Sequence, residues 1–537
     1  MKITKVTRND LERERTLSEN TLTDKAYDFT AKYMAVYCLQ SLTESNPEVI
    51  NSDTISILEK VLLDYEFSHQ TQAYFMYKEV ANTLCSIIIH SEDLADNALD
   101  TLKSLLGATS GHPHRATAEA LGALPFSIQG PRITDKADGH IPCVTWEEIC
   151  KEMDLTRTGP PEFVGRSLVA GVEPEGKLLV VKLARANESL DSLSGESLWM
   201  EYLLEQSHHF SVRFNIPEAI KIKESYPFRL RNIPAKGPQD VGLHPRGYAI
   251  GFVADEDYFS YPNDTSEEKQ LTNEEFGEVI SRNAWLLGRL ASLGIVHVAP
   301  VPLFHNRVQR QRRRDQGLYE WPRAGRLDRW LDSCLYPNLG VTGVRDFEHL
   351  VSFKGKSKSL YRHIGIHMLS LLLIAGSYFR NKDRKRIGFD SNGRPVDARD
   401  LFDRDFLKAL IYKLFCNYYR GFVSDEFEGG FPIDVEAFTS RMIDEMGVDR
   451  HMEEILRPAD QNEMTDGEFK SFLRRRGFSI EKIKSFRKGA GEIVFNSGPH
   501  LGEFNHNISL PELIEAVATM SSLCIAGKYC SQGGALQ

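Results

Sequence analysis

Several function classes are excluded by what this sequence lacks. Its eight cysteines, at 38, 85, 143, 150, 334, 416, 524 and 530, form no CxxC pair. Neither a short-spaced zinc site nor a disulfide framework is expected, and reduced thiols are the simpler reading. Positive charge is in deficit: 65 lysines and arginines stand against 75 acids, a net charge of −10, which argues against a nucleic-acid partner. No apolar run is long enough to span a bilayer; the most apolar window, 364–379, is short and interrupted by histidine, serine and glycine. Residues 1–20 are charged and contain no apolar stretch of the secretory kind. No Gly-x-Ser-x-Gly elbow, HExxH pair or credible cysteine–histidine pairing occurs. The expectation is a soluble protein without a membrane partner, either cytoplasmic or delivered into a host cytosol.

What is present is an ordinary globular composition, with 41% hydrophobic and 26% charged residues over 537 positions. That length predicts two to four domains at about 150 residues each. Residues 22–130 read as entirely helical. Apolar positions recur at helical spacing over 27–42, 55–65, 73–89, 94–106 and 115–124, with short polar breaks such as Glu44-Ser45-Asn46-Pro47 between them. The arrangement predicts an all-helical, HEAT-like domain over 1–130, of the kind that presents a binding surface or a brace. A Pro/Gly-rich connector follows over 131–160, with a short helix expected near Trp146.

After the connector the texture changes. Leu178-Leu179-Val180-Val181 and the run from Tyr248 to Val253 have the apolar, β-branched look of buried strands, with Pro174-Glu175-Gly176 as a turn. From Ile280 onward the pattern is mostly helical. Within this strand-then-helix order, five short elements stand in series. Val180-Val181-Lys182-Leu183 places a lysine in an apolar strand. Glu196 and Glu201 follow at 14 and 19 residues on an expected helix, with Glu196 preferred as the lysine's partner. The strand ending Phe252-Val253-Ala254-Asp255-Glu256 leads into polar residues. Gly294-Ile295-Val296-His297 closes a helix, and Asn306 lies downstream of it. Last comes Val344-Arg345-Asp346-Phe347-Glu348. Each element has an ordinary structural explanation by itself; a lysine in an apolar strand, for one, commonly just lifts its ammonium to the surface.

In this order the elements resemble the ATP site of protein kinases. The resemblance implies an α+β fold with a bilobal protein-kinase-like core: an N-lobe over 161–260, a C-lobe over 261–430, and a C-terminal helical extension over 431–537. It implies Lys182 on the nucleotide phosphates, Glu196 orienting it, and the backbone around Phe252 and Ala254 against the adenine. Asn306 and Asp346 would be ligands of Mg2+, with ATP as the nucleotide. The departures are equally specific. The usual aspartate after the histidine is absent, since His297 is followed by Val298-Ala299-Pro300. Asn306 lies two residues farther from the histidine than is usual. Only Gly165 and Gly171 stand where a glycine-rich loop is expected, so Arg166 would project toward the phosphates and neutralise charge that glycines merely cradle. An insertion at 307–338 carries eight arginines, among them Arg310, Arg312 and Arg314. It is either a solvated basic face or a seat for an acidic or activator protein. His297 and His305 read as packed loop histidines, and His363 and His367, four apart, as packed helix histidines rather than a metal pair.

Among atypical kinase-like proteins, the pattern is most similar to the SidJ-type kinase-like glutamylases, through Arg166, Lys182 and Glu196. That resemblance implies ATP-dependent adenylylation of an acceptor carboxylate on a protein or peptide substrate, with glutamate then ligated. No Ile/Leu-Gln-x-x-x-Arg run occurs in the C-terminal region, so a calmodulin partner is not implied. Kinase-like AMP transferases of the SelO type are similar in chemistry but match less closely. Siderophore synthetases share Arg345-Asp346-Phe347 yet only a fragment, Gly111-His112-Pro113-His114, of their phosphate loop. A phosphotransferase with a divergent loop and a non-catalytic pseudokinase scaffold are the alternatives. The missing base favours an acceptor that is already anionic, because a carboxylate needs no deprotonation before it attacks.

Overall fold

The computed structural model describes residues 7–64, 73–109, 111–124, 127–133, 140–186, 188–233, 242–264, 269–301 and 336–356, helical residues between 360 and 378, residues 404–423, the strands 492–497 and 505–509, and Cys524. The chain is α+β. Among the described residues, six α-helices open it: α1 (Arg8–Thr23), α2 (Phe29–Ser45), α3 (Ser52–Leu63), α4 (Ala73–His90), α5 (Ala95–Ala108) and α6 (Gly111–Gly122). Their starts are written in the sequence. Asp28 and Asn51 accept from the amides of Ala31 and Thr54, satisfying donors that a helix leaves open at its first turn. Apolar spacing does the rest: Met76, Tyr77, Val80, Ala81, Leu84 and Ile87 of α4 are fully buried, and α4 packs against α2, α5 and α6. Helix α6 begins earlier than its sequence suggests, because Pro113 falls in the first turn, where the missing N–H has no intrahelical acceptor to lose.

A strand β1 (Ser127–Gln129) leads to a seven-stranded sheet. Its members are β2 (Cys143–Val144), β3 (Glu162–Val164), β4 (Ser167–Val172), β5 (Lys177–Leu183), β6 (Glu218–Ile220), β7 (Phe228–Leu230) and β8 (Tyr248–Asp255). Their order is β2-β7-β8-β5-β4-β3, with β6 also on β8; the β2–β7 pair is parallel and the other pairs are antiparallel. The connector therefore contributes a strand to the sheet. Two helices cover the faces, α7 (Trp146–Glu152) and α8 (Leu190–Ser207). Central strand β5 is apolar along most of its length because both of its faces are covered. Leu179, Val181 and Leu183 pack with Trp146 and Ile149 of α7, while Val180 joins Trp199, Met200 and Leu203 of α8. Lys182 shares the α8 face by the two-residue period of a strand.

Helix α9 (Asn273–Ser292) follows, opened by a capping box in which Thr272 and Glu275 each accept the other's amide, at 3.2 and 2.8 Å. Then come β9 (Ile295–His297), β10 (Leu339–Gly340), β11 (Gly343–Val344), β12 (Leu350–Ser352) and β13 (Lys354–Lys356). Strands β10 and β11 form a hairpin, β12 pairs antiparallel with β9, and β13 pairs with β1. Gly294, at φ +74°, turns the chain from α9 into β9, and a Cβ there would fall 2.3 Å from the Gly130 amide. The connector backbone thus lies directly on this turn, a seat only glycine permits. A further helix, α10 (Arg404–Val423), crosses α9 with backbones in contact: a Cβ on Gly288 would stand 2.2 Å from the Tyr418 carbonyl oxygen.

In the expected helical extension over 431–537, the described residues include an antiparallel pair, β14 (Glu492–Ser497) with β15 (Asn505–Ser509). The helical expectation fails for this stretch because Ile493, Val494 and Phe495 are strand formers followed by Gly498-Pro499, which stops a helix. No helix among the described residues is long and apolar enough to cross a membrane.

Candidate functional site

Four of the residues singled out in the sequence meet between the sheet, α8 and the loop after β11. Lys182 leaves β5 on the α8 side, and its Nζ donates to Glu196 Oε1 at 2.6 Å; both side chains are buried. Of the two candidate glutamates, Glu196 is therefore the partner. Glu201 faces away, accepting from the Tyr226 hydroxyl and from Lys221. Nζ also reaches Asp346 Oδ1 at 3.4 Å. Arg166 sits in the two-residue turn joining β3 to β4, after Gly165 at φ +61°, and forms ion pairs with Glu188 and Glu348. The expected glycine-rich loop is thus a tight hairpin turn. Gly171 lies inside β4 instead, where a Cβ would meet Thr158 Oγ1 at 2.4 Å.

The backbone around Asp346 is unusual. Asp346 adopts φ 48°, ψ 62°, a left-handed conformation that aspartate visits more often than most residues but which still carries strain. Its neighbours hold it there. The Arg345 amide donates to Asn338 O at 3.0 Å, and His297 Nε2 lies 3.1 Å from Arg345 O. His297 Nδ1 accepts from the Ala299 amide at 3.2 Å, which leaves Nε2 as the protonated nitrogen donating to Arg345 O. His367 repeats the pattern one layer down, with Nε2 on His297 O at 3.1 Å and Nδ1 at the Tyr418 hydroxyl at 2.9 Å. Burial pushes the His367 imidazole down to about 3, so it stays neutral. Both histidines are packed, bonded groups, as the sequence suggests.

Phe252 and Ala254 line the same face of the sheet as Lys182, through the register Lys182↔Ile250, Val180↔Phe252 and Leu178↔Ala254. The Phe252 backbone is flanked by β5 on one side and β6 on the other, so it is not open to a ligand's edge, contrary to the expectation for it. What Phe252 offers is its ring, packed edge-on to Tyr258 at 5.3 Å. Ala254 lies one residue past the end of β6 pairing, so β8 there meets only β5. Asn306, His305 and nearly all of the arginine-rich insertion lie outside the described residues.

Five ionisable residues complete the cluster that motif reading did not assign. Glu348 pairs with Arg166 and lies 3.7 Å from Lys182 Nζ and 3.6 Å from Arg185 Nη2. Glu188, from the loop before α8, pairs with Arg166 and accepts the Arg185 amide at 2.9 Å. His349 Nε2 is 3.4 Å from Glu348 Oε1. Arg345 is buried, its guanidinium set against the rings of Tyr258, Phe259 and Tyr261 at 5.0, 5.1 and 4.5 Å. Glu348 had one visible signal, since an acid stands third in Asp346-Phe347-Glu348 where kinases carry glycine. The others had none, because ion pairs across 22 or 182 positions leave no period in a sequence.

The electrostatics follow from crowding. Burial drives Glu196 up to about 7, opposed chiefly by Lys182. Burial would also lower Lys182, but the Glu196 and Asp346 carboxylates outweigh it and hold the ammonium charged above the ordinary lysine range. Burial opposes ionisation of Asp346 and Glu348 too. It is overcome first by Lys182 in each, leaving Asp346 well below the usual carboxylate range and Glu348 at about 2. Two anions and a strongly held cation thus persist at neutral pH in a water-poor place. Asp346, Glu348 and His349 each offer one ligand atom, all within 4.8 Å of one another, the one such group among the described residues. A carboxylate pair with a single imidazole suits an oxygen-seeking divalent cation such as Mg2+ or Mn2+. The chain matches no protein-family model, and no curated protein is significantly similar to it.

Proposed function

We propose that the Lys182 cluster is the phosphate end of a nucleotide site, and that the protein is an ATP- and Mg2+-dependent transferase of kinase-like, bilobal fold acting on a protein or peptide. One observation carries the reading: Lys182 Nζ lies between Glu196 at 2.6 Å and Asp346 at 3.4 Å, joining a strand, a helix and a left-handed loop in one contact that is buried at Lys182 and Glu196 and open to solvent at Asp346. Buried charges of this kind are costly to a fold, and sites of chemistry are where they are tolerated. The β9–β12 pair and the β10–β11 hairpin around Asp346, with His297 bonded to the Arg345 carbonyl, support the same reading.

In it, Lys182 and Arg166 bind and orient phosphate oxygens of the substrate ATP, and Glu196 holds Lys182 extended. Asp346, with Glu348 and His349 beside it, would hold the metal, which neutralises phosphate charge when bound. Phe252 and Ala254 form the apolar wall for the base. Without an aspartate after His297, nothing on that strand end can deprotonate a hydroxyl, which favours a carboxylate acceptor. Its oxygen would attack the α-phosphorus and the bond to the bridging oxygen would break. Pyrophosphate leaves and AMP remains on the acceptor; a glutamate amine can then displace AMP to form an amide. The helical domain, HEAT-like in this reading, and the arginine-rich insertion are the surfaces for the macromolecular substrate or an acidic activator.

The test is intact mass after incubation with ATP, Mg2+ and glutamate, beside Asp346→Ala. A gain of AMP or glutamate on the wild type alone supports the reading, and a gain of phosphate redirects it to phosphotransfer. The same incubation without any gain, repeated with candidate acidic partners, moves the assignment to a non-catalytic scaffold. One observation favours that second reading: the site's cations are already matched by Glu188, Glu196 and Glu348 within the chain.

A further inference from the structure

We infer that Glu348 is an internal occupant of the anion seat, and that a phosphate ligand binds by displacing it. The inference rests on reading Arg166 and Lys182 as the phosphate-binding pair and adds how access to them is controlled.

The geometry is lopsided in a way that a structural ion pair does not need. A single carboxylate, its side chain 7% exposed, draws in Arg166, Lys182 and Arg185, which come from the β3–β4 turn, from β5 and from the loop after β5. The three cations converge on Glu348, which, with Asp346 at 3.4 Å from Lys182, reaches this point from the loop after β11 rather than from the sheet. Lys182 and Arg166 already own partners on their own side, Glu196 and Glu188. Removing Glu348 would therefore leave neither of them bare. It would open a seat lined by three cations, which is the complement of an oligophosphate.

The backbone allows the exchange. Glu348 stands in the single 3-10 turn Phe347–His349, entered through the left-handed Asp346, whereas Lys182 is fixed in a strand, Arg166 in a tight turn and Arg185 by a backbone bridge to Leu243. Backbone links on that turn include His349 N to Asp346 O, Leu350 N to Phe347 O and Val298 N to His349 O. Phe347 anchors its base in the core. Rotation about the Glu348 side-chain bonds carries the carboxylate away while the cations keep their places. A ligand bearing several phosphate charges meets all three cations at once, and one carboxylate cannot match it. A smaller or singly charged anion lacks that advantage, so the plug also selects for oligophosphates.

The experiment is calorimetric titration of inorganic tripolyphosphate, and separately of ATP, into the full chain without divalent metal, comparing wild type with Glu348→Gln. Both ligands should bind the variant about tenfold more tightly, the weight of one charge-assisted contact. Equal tripolyphosphate affinity in the two proteins, or none in either, overturns the inference whatever ATP does. Tighter tripolyphosphate with no ATP binding to either protein sustains the plug and removes the nucleotide reading instead. Should Glu348→Gln fail to fold by thermal melting, Glu348→Asp keeps the charge but is one methylene too short to serve Arg166 and Lys182 together. It should give an intermediate gain, and an unchanged affinity again overturns the inference.

Discussion

The helical stack of α1–α6 and the cluster around Lys182 are held together by opposite means. In the stack, burial is mainly apolar: Leu39, Leu58, Leu84 and Leu102 are sealed from solvent, and the few buried polar groups, such as Glu19 with Thr54, are scattered rather than gathered at one point. In the cluster, Lys182 and Glu196 are buried and the Glu348 side chain nearly so, and each depends on the others to stay there. The first arrangement stabilises a fold. The second is a poor way to gain stability, because desolvating a charge offsets much of its attraction to a partner. In the proposed function those charges are the ones that hold the phosphates.

That contrast can be broken most forcefully at Lys182. Lys182→Met leaves Glu196 buried without its cation, and a loss of about 3–5 kcal/mol is expected by urea denaturation, together with loss of ATP binding. Pairing it with Glu196→Leu should restore most of that stability while ATP binding stays absent. If the double variant is no more stable than the single one, the pair is structural and the contrast collapses.

In the stack, Leu84→Ala should cost about 2–4 kcal/mol through lost burial and a residual cavity. ATP affinity measured well below the melting temperature should not change, since α4 contributes nothing to the cluster. A matching fall in affinity would mean that the two regions are coupled.

Acid should separate them without any substitution. Glu348 sits at about 2 in the fold against an ordinary 4.5, so its contribution is present above about 4.5 and is lost as pH falls toward 2. Glu196 runs the other way. Raised to about 7, its contribution is complete below about 4.5 and disappears as pH climbs through 7. Melting temperature followed from pH 2 to 8 should therefore drop on both sides for the wild type. Glu348→Gln should flatten the acid limb and Glu196→Gln the neutral limb, each by on the order of 1–3 kcal/mol.

The same contrast governs what could be read from the sequence. Helical periodicity located α2–α5 and α7, and the strands carrying Lys182 and Phe252, because apolar burial imprints a period of 3.6 or 2. Lys182, Glu196 and Asp346 were legible because motif spacing kept them in order. Arg185 and Glu188 were not, since their pairing depends on how a turn, a strand and a loop meet in space, and the motif marked Glu348 without showing what it pairs with. Strands β14 and β15 were missed for a different reason. A polar, charged region was read as helix, and the short Ile493-Val494-Phe495 run was outweighed by its surroundings. The strand carrying Phe252 is legible as an apolar run, but β6 closing over its backbone is a pairing that no local pattern announces.

The smallest effect gives the sharpest form of the comparison, because two buried tyrosines make equivalent bonds in the two regions. Tyr77 of the stack donates to Asp64 O at 3.2 Å, and Tyr418 of α10 lies 2.9 Å from His367 Nδ1. Replacing either by phenylalanine should cost about 1 kcal/mol, the net value of one hydrogen bond. Only the second bond stands in a chain that reaches the site, from Tyr418 to His367, to the His297 carbonyl, and from the His297 ring to Arg345 O beside Asp346. Loss of that hydroxyl frees the His367 ring to reorient and loosens the support under the left-handed Asp346. Tyr418→Phe should therefore weaken Mg2+-dependent ATP binding several-fold while leaving metal-free tripolyphosphate binding, which uses Arg166, Lys182 and Arg185, unchanged. Tyr77→Phe should leave both unchanged. Equal behaviour of the two variants would show that the buried histidines pack the core without positioning Asp346.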